Sequence, residues 1–438
     1  MTLLDDYAEE FLSVASHLPG YERNWLNEHR QASLQIFLEN GIPTPQLESW
    51  KYTNLHVLGQ RALPLASTEC LHVDRKSLKP FLPEGLGERT LVFVNGWFRC
   101  DLSDDMDGAE ETVTSLASAL HEGQLDSHVL LGSPAPEPER ALHSLNSAFM
   151  TDGAVIRFAK GKQSEGPYHL VFVTAPGADA AATHPRNIVI AERDSVAEIV
   201  ETHVGLDEGA YWSNSYTSIF LESGSHVRHH RFQGDSLLAH HIGTTLVEIG
   251  TGAKYEGFTV SIGGKLARHE ISAHLTGTDA GCDLTGIYLG YCSQHIDNTV
   301  QIHHLAPHGR SRQVYRGVLD GEARGVFQGK VVVAPDAQGV DAHQLNQNLI
   351  LSSSAEIDTK PELEINANDV KCTHGATVGA LDEEALFYMQ SRGISRGTAT
   401  DMLIDGFINE LCRESLSPVL SEWLGSMFAS WMMKRHEQ

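Results

Sequence analysis

Short polar turns recur along the middle of the sequence, and each one leads into a run of β-favouring residues. The turn holds a polar or glycine cluster followed by a serine or alanine, as in ERDSVAEI and GTDAGCDL. These small residues are Ser195, Ser225, Ala253, Ala280, Ser311, Ala337 and Ala355. Their spacing is roughly 20–30 residues, which is in the range of solenoid repeats. A repeating unit made of strands and turns predicts a solenoid, because each coil buries its inner face by stacking on its neighbours.

A right-handed parallel β-helix is the natural solenoid for this pattern, and it makes the chain mostly β. The runs that would form its strands include VIRF, HLVFV, NIVIA, TSIFL, TTLVEI, GVFQGKVVV and NLILS. A large β-sandwich or jelly roll is the alternative, since its strands also recur between turn signals.

The sequence changes character on either side of this region. Apolar residues recur at helical spacing near the N-terminus and again after Gly379. LVFVNGWF (91–98) is a strand candidate, and GSPAPEPER (132–140) is typical of a linker. We therefore predict an N-terminal helical and mixed region (1–150), a parallel β-helix core (151–380) and a C-terminal helical domain (381–438). The apolar stripe of the last helices predicts either an intramolecular core or a surface that docks a partner.

Charge and cysteine spacing limit the classes of partner and compartment. The chain has 57 acidic and 32 basic residues and a net charge of −25, so its surface repels nucleic acid and anionic membrane. It has no apolar run long enough to span a bilayer, and the acidic start MTLLDDYAEEFLSV lacks the features of a signal peptide, so no membrane insertion is expected. None of the six cysteines forms a C-x-x-C pair. We expect a cytoplasmic protein.

The sequence carries no complete motif of a common enzyme class. It lacks a G-x-S-x-G elbow, an H-E-x-x-H metal motif and a P-loop, for which Gly263-Gly264-Lys265-Leu266 is the nearest match. We therefore expect a non-catalytic protein with no ATP site of its own. A carbohydrate-active β-helix enzyme is an alternative from a different class, although no comparable cluster of aspartates stands out.

Histidine is abundant, with 24 residues, and it occurs in three adjacent pairs: His229-His230, His240-His241 and His303-His304. Neighbouring residues of a strand point to opposite faces, so such a dipeptide cannot present both rings to one ion. Each pair is therefore a weak sign of a metal site. Two coils could align one histidine from each, which the sequence does not show.

The stretch DVKCTHGATVG (369–379) holds the strongest candidate site. With period 2, Val370, Cys372 and His374 share one face of a strand, and an inward Val370 would turn the other two inward as well. An inward histidine must find a partner or coordinate something. We expect Gly375 to end the strand, so that this face lies where the β-region stops. A satisfied core histidine and a functional site both fit this pattern.

This stretch lies within a longer segment that resembles the SufB/SufD family of the SUF iron–sulfur cluster assembly machinery. The segment runs from SRQVYRGVLDGEARG to ALFYMQSRGI (311–394), and GIPTPQLESWKYTNL (41–55) and HPRNIVI (184–190) are also similar to family motifs. Within the family, the run Lys371-Cys372-Thr373-His374-Gly375 resembles the SufD branch. A SufB-type scaffold is the alternative, but SufB has a glutamate at the position of Gly375.

The resemblance implies a right-handed parallel β-helix flanked by helical parts, and an accessory scaffold subunit without catalytic activity. It implies a heterodimer with a SufB-like subunit through the C-terminal end of the β-helix, and a SufC-like ABC ATPase bound by the C-terminal helices. A homodimer of the isolated chain is also compatible with it. It further implies that His374, and with less certainty of role Cys372, contributes to a transient iron–sulfur cluster shared with the partner subunit. One cysteine and one histidine are too few to hold a cluster alone.

Overall fold

A computed structural model of the chain describes residues 3–67, 73–106, 112–125, 130, 141–175, 177 and 180–436. The predicted linker 132–140 lies outside the described residues. The helices are α1 Leu3–Val14, α2 Asn24–Asn40, α3 Arg75–Leu78, α4 Leu116–Glu122, α5 Ala141–Phe149, α6 Glu383–Ser391, α7 Arg396–Ser415 and α8 Pro418–His436. Short 3-10 helices lie at Ala15–His17, Glu48–Trp50 and Lys79–Phe81.

The strands fill the middle of the chain. They are β1 Thr90–Val94, β2 Trp97–Phe98, β3 Thr112–Ser115, β4 Ala154–Phe158, β5 Tyr168–Thr174, β6 Ala182–Thr183, β7 Arg186–Ala191, β8 Val196–Gly205, β9 Trp212–Leu221, β10 His226–Gly234, β11 His240–Ile249, β12 Lys254–Ser261, β13 Leu266–Leu275, β14 Gly281–Gly290, β15 His295–His304, β16 Arg310–Leu319, β17 Arg324–Val333, β18 Val340–Ile350, β19 Glu356–Ile365 and β20 Val370–Gly379. The candidate strand at 91–98 is thus a hairpin, β1–β2.

Two long sheets face each other across the interior. Sheet I has the order β2-β1-β5-β8-β10-β12-β14-β16-β18-β20, and sheet II has the order β19-β17-β15-β13-β11-β9-β7-β4-β3, with β6 paired to β9. From β8 onward the chain alternates between the sheets, and each strand pairs in parallel with the strand of the next coil. The prediction of a mostly β chain with a β-helical solenoid and helical flanks is confirmed, and the sandwich alternative is wrong.

The coil length follows from the predicted turns. In sheet I, Val196 pairs with His226, His226 with Lys254, and Lys254 with Gly281, so the period of the ladder is the period of the turns. The residue before each of the first four small residues has a positive φ: Asp194 at 59°, Gly224 at 73°, Gly252 at 64° and Asp279 at 58°. Glycine and aspartate tolerate that left-handed conformation. The buried serine or alanine that follows allows close stacking of one turn on the next.

Two of the assigned small residues do not mark the start of a coil in sheet I. Ser311 lies inside β16, and Ala355 lies in the turn before β19, which belongs to sheet II. The short last spacing, from Ala337 to Ala355, therefore leads from one sheet to the other and does not span a full coil. The sequence could not separate the two sides, because both use a small residue after a polar turn.

Helices cover the outer faces of the two sheets at different places. Tyr7 and Phe37, from α1 and α2, pack with Trp212 of sheet II in one apolar cluster. On sheet I, Trp423 and Phe428 of α8 pack in another apolar cluster, with Phe232 among others. The stripe of the last helix is therefore largely an intramolecular core. Among the described helices, none combines the length and the apolar character needed to cross a bilayer.

The motif at 41–55 connects the N-terminal region to the solenoid through side-chain contacts. The ring of Trp50 covers the guanidinium of the buried Arg268 in β13. Arg268 also donates to the backbone carbonyl of Ser49 at 2.8 Å and forms a buried ion pair with Asp297. The Thr53 hydroxyl donates to Asp297 as well. These contacts join segments that are far apart in sequence, so this short motif positions the helical region on sheet II.

Candidate functional site

Cys372 and His374 lie on the inward face of the last coil. Strand β20 pairs with β18 in parallel, with Cys372 opposite Ala342 and His374 opposite Gln344. Ala342 and Gln344 are buried in the interior, and residues opposite each other in a parallel ladder point to the same side. The inward orientation that the period predicted is therefore present.

No further coil closes this end of the solenoid within the described residues. Strands β19 and β20 are the terminal strands of sheets II and I, and most of their residues are exposed or half-buried. His374 is exposed although it points inward, and its imidazole has no hydrogen-bond partner among the described residues. The interpretation as a satisfied core histidine is therefore wrong.

Strand β20 does not end at Gly375, contrary to the expectation. It continues to Gly379, and Gly375 pairs with Leu345 of β18. A glycine forms the backbone hydrogen bonds of a parallel ladder as other residues do. Pairing with β18 therefore outweighs the weak β-propensity of Gly375. His374 consequently lies in the middle of an edge strand and not at its tip.

The thiol of Cys372 is half-buried and packs beside an apolar cluster that includes Val340 and Ala342. Burial raises the pKa of this thiol, and the nearby carboxylate of Asp341 raises it further. The thiolate is the form that binds a metal. Cys372 is therefore protonated at neutral pH until a cation or another positive group comes close.

Behind His374 the interior is polar. Gln344 donates to Gln313 at 3.0 Å, and Asn346 donates to the hydroxyl of Tyr288 at 3.1 Å. The Gln344 carbonyl oxygen is buried without a hydrogen-bond partner among the described residues. Alternation along QLNQNL places Gln344, Asn346 and Asn348 on the face opposite the leucines but does not give the direction. These three amides point inward because Leu349 packs outward with the cluster around α7 and α8.

The outer face of the same coil carries a chain of polar contacts that was not predicted from the sequence. Asp341 contacts His343 Nε2 at 2.9 Å, and His343 Nδ1 shares a hydrogen bond of 2.7 Å with the hydroxyl of Thr373. Thr373 lies between Cys372 and His374, so this chain fixes the strand from its outer side. The alternation of DAHQ opposite KCTH would have placed these side chains on one face.

The three histidine pairs each split across a sheet. His229 points inward to Glu201 at 3.2 Å, while His230 contacts Glu198 on the outer face at 3.1 Å. His241 lies 2.9 Å from the buried Asp235, and His304 shares a hydrogen bond of 2.9 Å with Ser311. No adjacent pair presents both rings to one point, as period 2 predicted.

A buried ionic cluster occupies the interior several coils away from Cys372. Glu201 lies 2.6 Å from His203 and 3.7 Å from Arg231, and all three are almost fully buried. Burial would raise the pKa of Glu201, but His203 and His229 outweigh it and hold that pKa well below its usual value. Burial lowers the pKa of His203 to about 4. The cluster thus holds a charged glutamate beside one arginine, and His203 and His229 both form hydrogen bonds with its carboxylate.

Within the part of the chain that the structure describes, no three His, Cys, Asp or Glu side chains converge as a metal site. Cys372 and His374 can supply one thiolate and one imidazole, which are two of the ligands that an iron–sulfur cluster takes from protein. The described residues place no third ligand of this kind beside them.

Comparisons with known proteins agree over nearly the whole length. The SufBD core domain of the SUF iron–sulfur cluster assembly system matches residues 172–407, and the SufBD N-terminal region matches residues 1–170. A SufBD family protein of Synechocystis is 33% identical over 91% of this chain and 90% of its own length. The SufD protein of Escherichia coli is 29% identical over 90% of each chain. The SufB protein of Bacillus subtilis is 26% identical over 72% of this chain and 67% of its own length.

Proposed function

Because this chain belongs to the SufBD family of iron–sulfur cluster assembly proteins, we propose that it is a SufD-type scaffold subunit that builds a cluster jointly with a SufB-like partner. The observation that carries the proposal is the open last coil, where His374 is exposed on the inward face beside Cys372. The cluster is the cargo of this site and is released after assembly. A cytoplasmic location remains a prediction.

The partner supplies the ligands that this chain lacks. Among the described strands, none pairs with the outer edges of β19 and β20, and an exposed edge strand is a template for pairing with another chain. A SufB-like subunit that adds its own strands there brings its cysteine next to His374. An imidazole in place of one thiolate alters the potential of the cluster, and we propose that it also eases the transfer of the cluster to a recipient.

ATP hydrolysis is assigned to a SufC-like ATPase that docks on the C-terminal helices. One side of α8 packs on the outer face of sheet I, where Trp423 and Phe428 are buried. Phe387 at 73%, Tyr388 at 58% and Met402 at 52% exposure lie on α6 and at the start of α7, and Met433 of α8 is 62% exposed. Exposed aromatic and methionine side chains are typical anchors of protein interfaces. We therefore propose α6 and the start of α7 as the docking surface.

The test is cluster assembly by the reconstituted complex of this chain with SufB-like and SufC-like subunits. The variant His374→Ala is compared with His343→Ala, which removes an exposed histidine from the outer face of the adjacent strand. We expect His374→Ala to lower the yield of cluster at least about tenfold while complex formation is retained, and His343→Ala to keep most of it. Equal yields from His374→Ala and the parent complex would remove His374 from the mechanism.

A further inference from the structure

The outer face of sheet II carries a histidine pair that the proposed function does not use. His274 of β13 and His303 of β15 are direct partners in the parallel ladder. Their neighbours Ala273, Ile302 and His304 are buried in the interior, so the two rings point outward. The ring centroids lie 4.9 Å apart at an interplanar angle of 86°. Two coils thus align one histidine from each on one surface.

Polar neighbours on the same strands orient the two rings. His274 Nε2 shares a hydrogen bond of 3.0 Å with the Ser272 hydroxyl, and His303 Nε2 shares one of 3.3 Å with the Gln301 carbonyl oxygen. Ser272 and Gln301 also line a cleft of about 90 Å³ on this face. Hydrogen bonds of this kind orient imidazoles that bind metal ions.

Carboxylates flank the pair on both sides of the same cross-strand row. Glu248 of β11 is the next residue along the same cross-strand row, on the side of His274. On the other side Val332 separates His303 from Glu364 of β19. The pKa of Glu364 is lowered by its hydrogen bond with Lys330, with a smaller contribution from His303. The ammonium group of Lys330 lies 2.8 Å from the carboxylate of Glu364, so the positive charge of Lys330 is compensated.

We propose that His274 and His303 form a bis-histidine site for one divalent transition-metal ion, with water in the remaining positions. Imidazole suits borderline ions such as Zn²⁺, Ni²⁺ and Fe²⁺. One metal–nitrogen bond of about 2.0–2.1 Å to each ring would join the two histidines through the ion after small rotations of their side chains. Two protein ligands hold an ion in an exchangeable manner. The site is independent of Cys372 and His374, which lie on the inner face of the other sheet.

The experiment is a calorimetric titration of the full chain with Ni²⁺ alone at pH 7.5. The variants are His274→Gln, His303→Gln and the double variant. The matched control is His226→Gln, a half-buried outer-face histidine of sheet I that contacts Glu256 at 2.9 Å. We expect each single variant to weaken one equivalent of Ni²⁺ at least about tenfold, and the control to bind like the parent.

The double variant decides whether one ion is shared. A shared ion predicts that the double variant loses the same single equivalent as each single variant. Loss of two equivalents would mean two separate sites and would overturn the proposal, as would unchanged binding in both single variants. Far-UV circular dichroism and the melting temperature of each metal-free variant confirm that the fold is retained. Because Cys372 and His374 are intact in every variant, failure here leaves the proposed cluster site untouched.

Discussion

The guanidinium carbon of Arg268 lies 3.9 Å from the centre of the Trp50 ring. Trp50 belongs to a 3-10 turn of the N-terminal region, and Arg268 belongs to β13 in the middle of sheet II. Burial lowers the pKa of Arg268, but Asp297 and Glu270 more than offset it and keep the group charged. This stacking therefore joins the N-terminal region to the solenoid through a buried cation that already has its counter-charges.

Replacing Trp50 should loosen that attachment. Trp50→Ala removes a fully buried indole and the cation–π contact, so we expect the free energy of unfolding to fall by about 3–5 kcal/mol. Denaturant unfolding followed by fluorescence and circular dichroism measures the change. Trp25→Ala, which truncates a half-buried tryptophan of α2, is the control and should cost clearly less. Equal losses in the two variants would contradict the special role of the Trp50–Arg268 contact.

Buried histidines should make the fold sensitive to acid. Burial lowers the pKa of His169 and of His184 to about 3, and that of His295 to about 4. An unfolded chain binds these protons near pH 6.5, so between about pH 6.5 and 4 it carries more protons than the folded chain. Stability therefore rises with pH across this window and is fully present above it.

The slope of that dependence can be measured residue by residue. Each such histidine contributes up to about 1.4 kcal/mol per pH unit to the free energy of unfolding. His169→Gln removes one titrating group, so the variant should show a shallower loss of stability between pH 6.5 and 4 in urea titrations. Parallel curves for the parent and His169→Gln would show that His169 is not neutral in the folded protein.

The repeat and the alternation of residues were predictable from the sequence for local reasons. The turns of the early coils use a left-handed residue and then a small one, and Asp194-Ser195 and Gly224-Ser225 are of this kind. The direction of a strand's faces is not local. Whether Asn346 or Leu349 points inward depends on whether α7 and α8, which come much later in the chain, cover the outer face.

The candidate site was predictable to the same extent. Period 2 gave the shared face of Cys372 and His374, and the family resemblance gave the expectation of a second chain. The exposure of His374 could not be read from the sequence, because an inward position normally means burial. It results from the absence of a further coil over β20 among the described residues.

Substitution of His374 should leave the fold intact. His374 is exposed and has no hydrogen-bond partner among the described residues, so His374→Ala should change the free energy of unfolding by no more than about 0.5 kcal/mol. His304→Ala makes the same substitution at a buried ring that bonds to Ser311, and it should cost about 1–3 kcal/mol. Urea unfolding of the isolated chain measures both. A large loss in His374→Ala would mean that its effect on cluster assembly is structural.

Two phenylalanines of the C-terminal helices should behave in opposite ways. Phe387 of α6 is 73% exposed, whereas Phe428 of α8 is 1% exposed against sheet I. Phe387→Ser should leave stability within about 0.5 kcal/mol and weaken binding of the ATPase at least about tenfold, because it removes an interface anchor. Phe428→Ser should instead lower the free energy of unfolding by about 3–5 kcal/mol.

Pull-down and calorimetric titration with the purified SufC-like ATPase measure the first effect, and urea unfolding measures the second. Deletion of 395–438 is a poorer test, because it removes α8 and thereby exposes Phe232 and Phe258 of sheet I. It also removes the start of α7, so a loss of binding and a loss of stability could not be separated. Glu384→Ser, an exposed change on the same short helix, is the matched control for Phe387→Ser and should bind like the parent. Undiminished affinity in Phe387→Ser would place the docking surface elsewhere on the C-terminal helices.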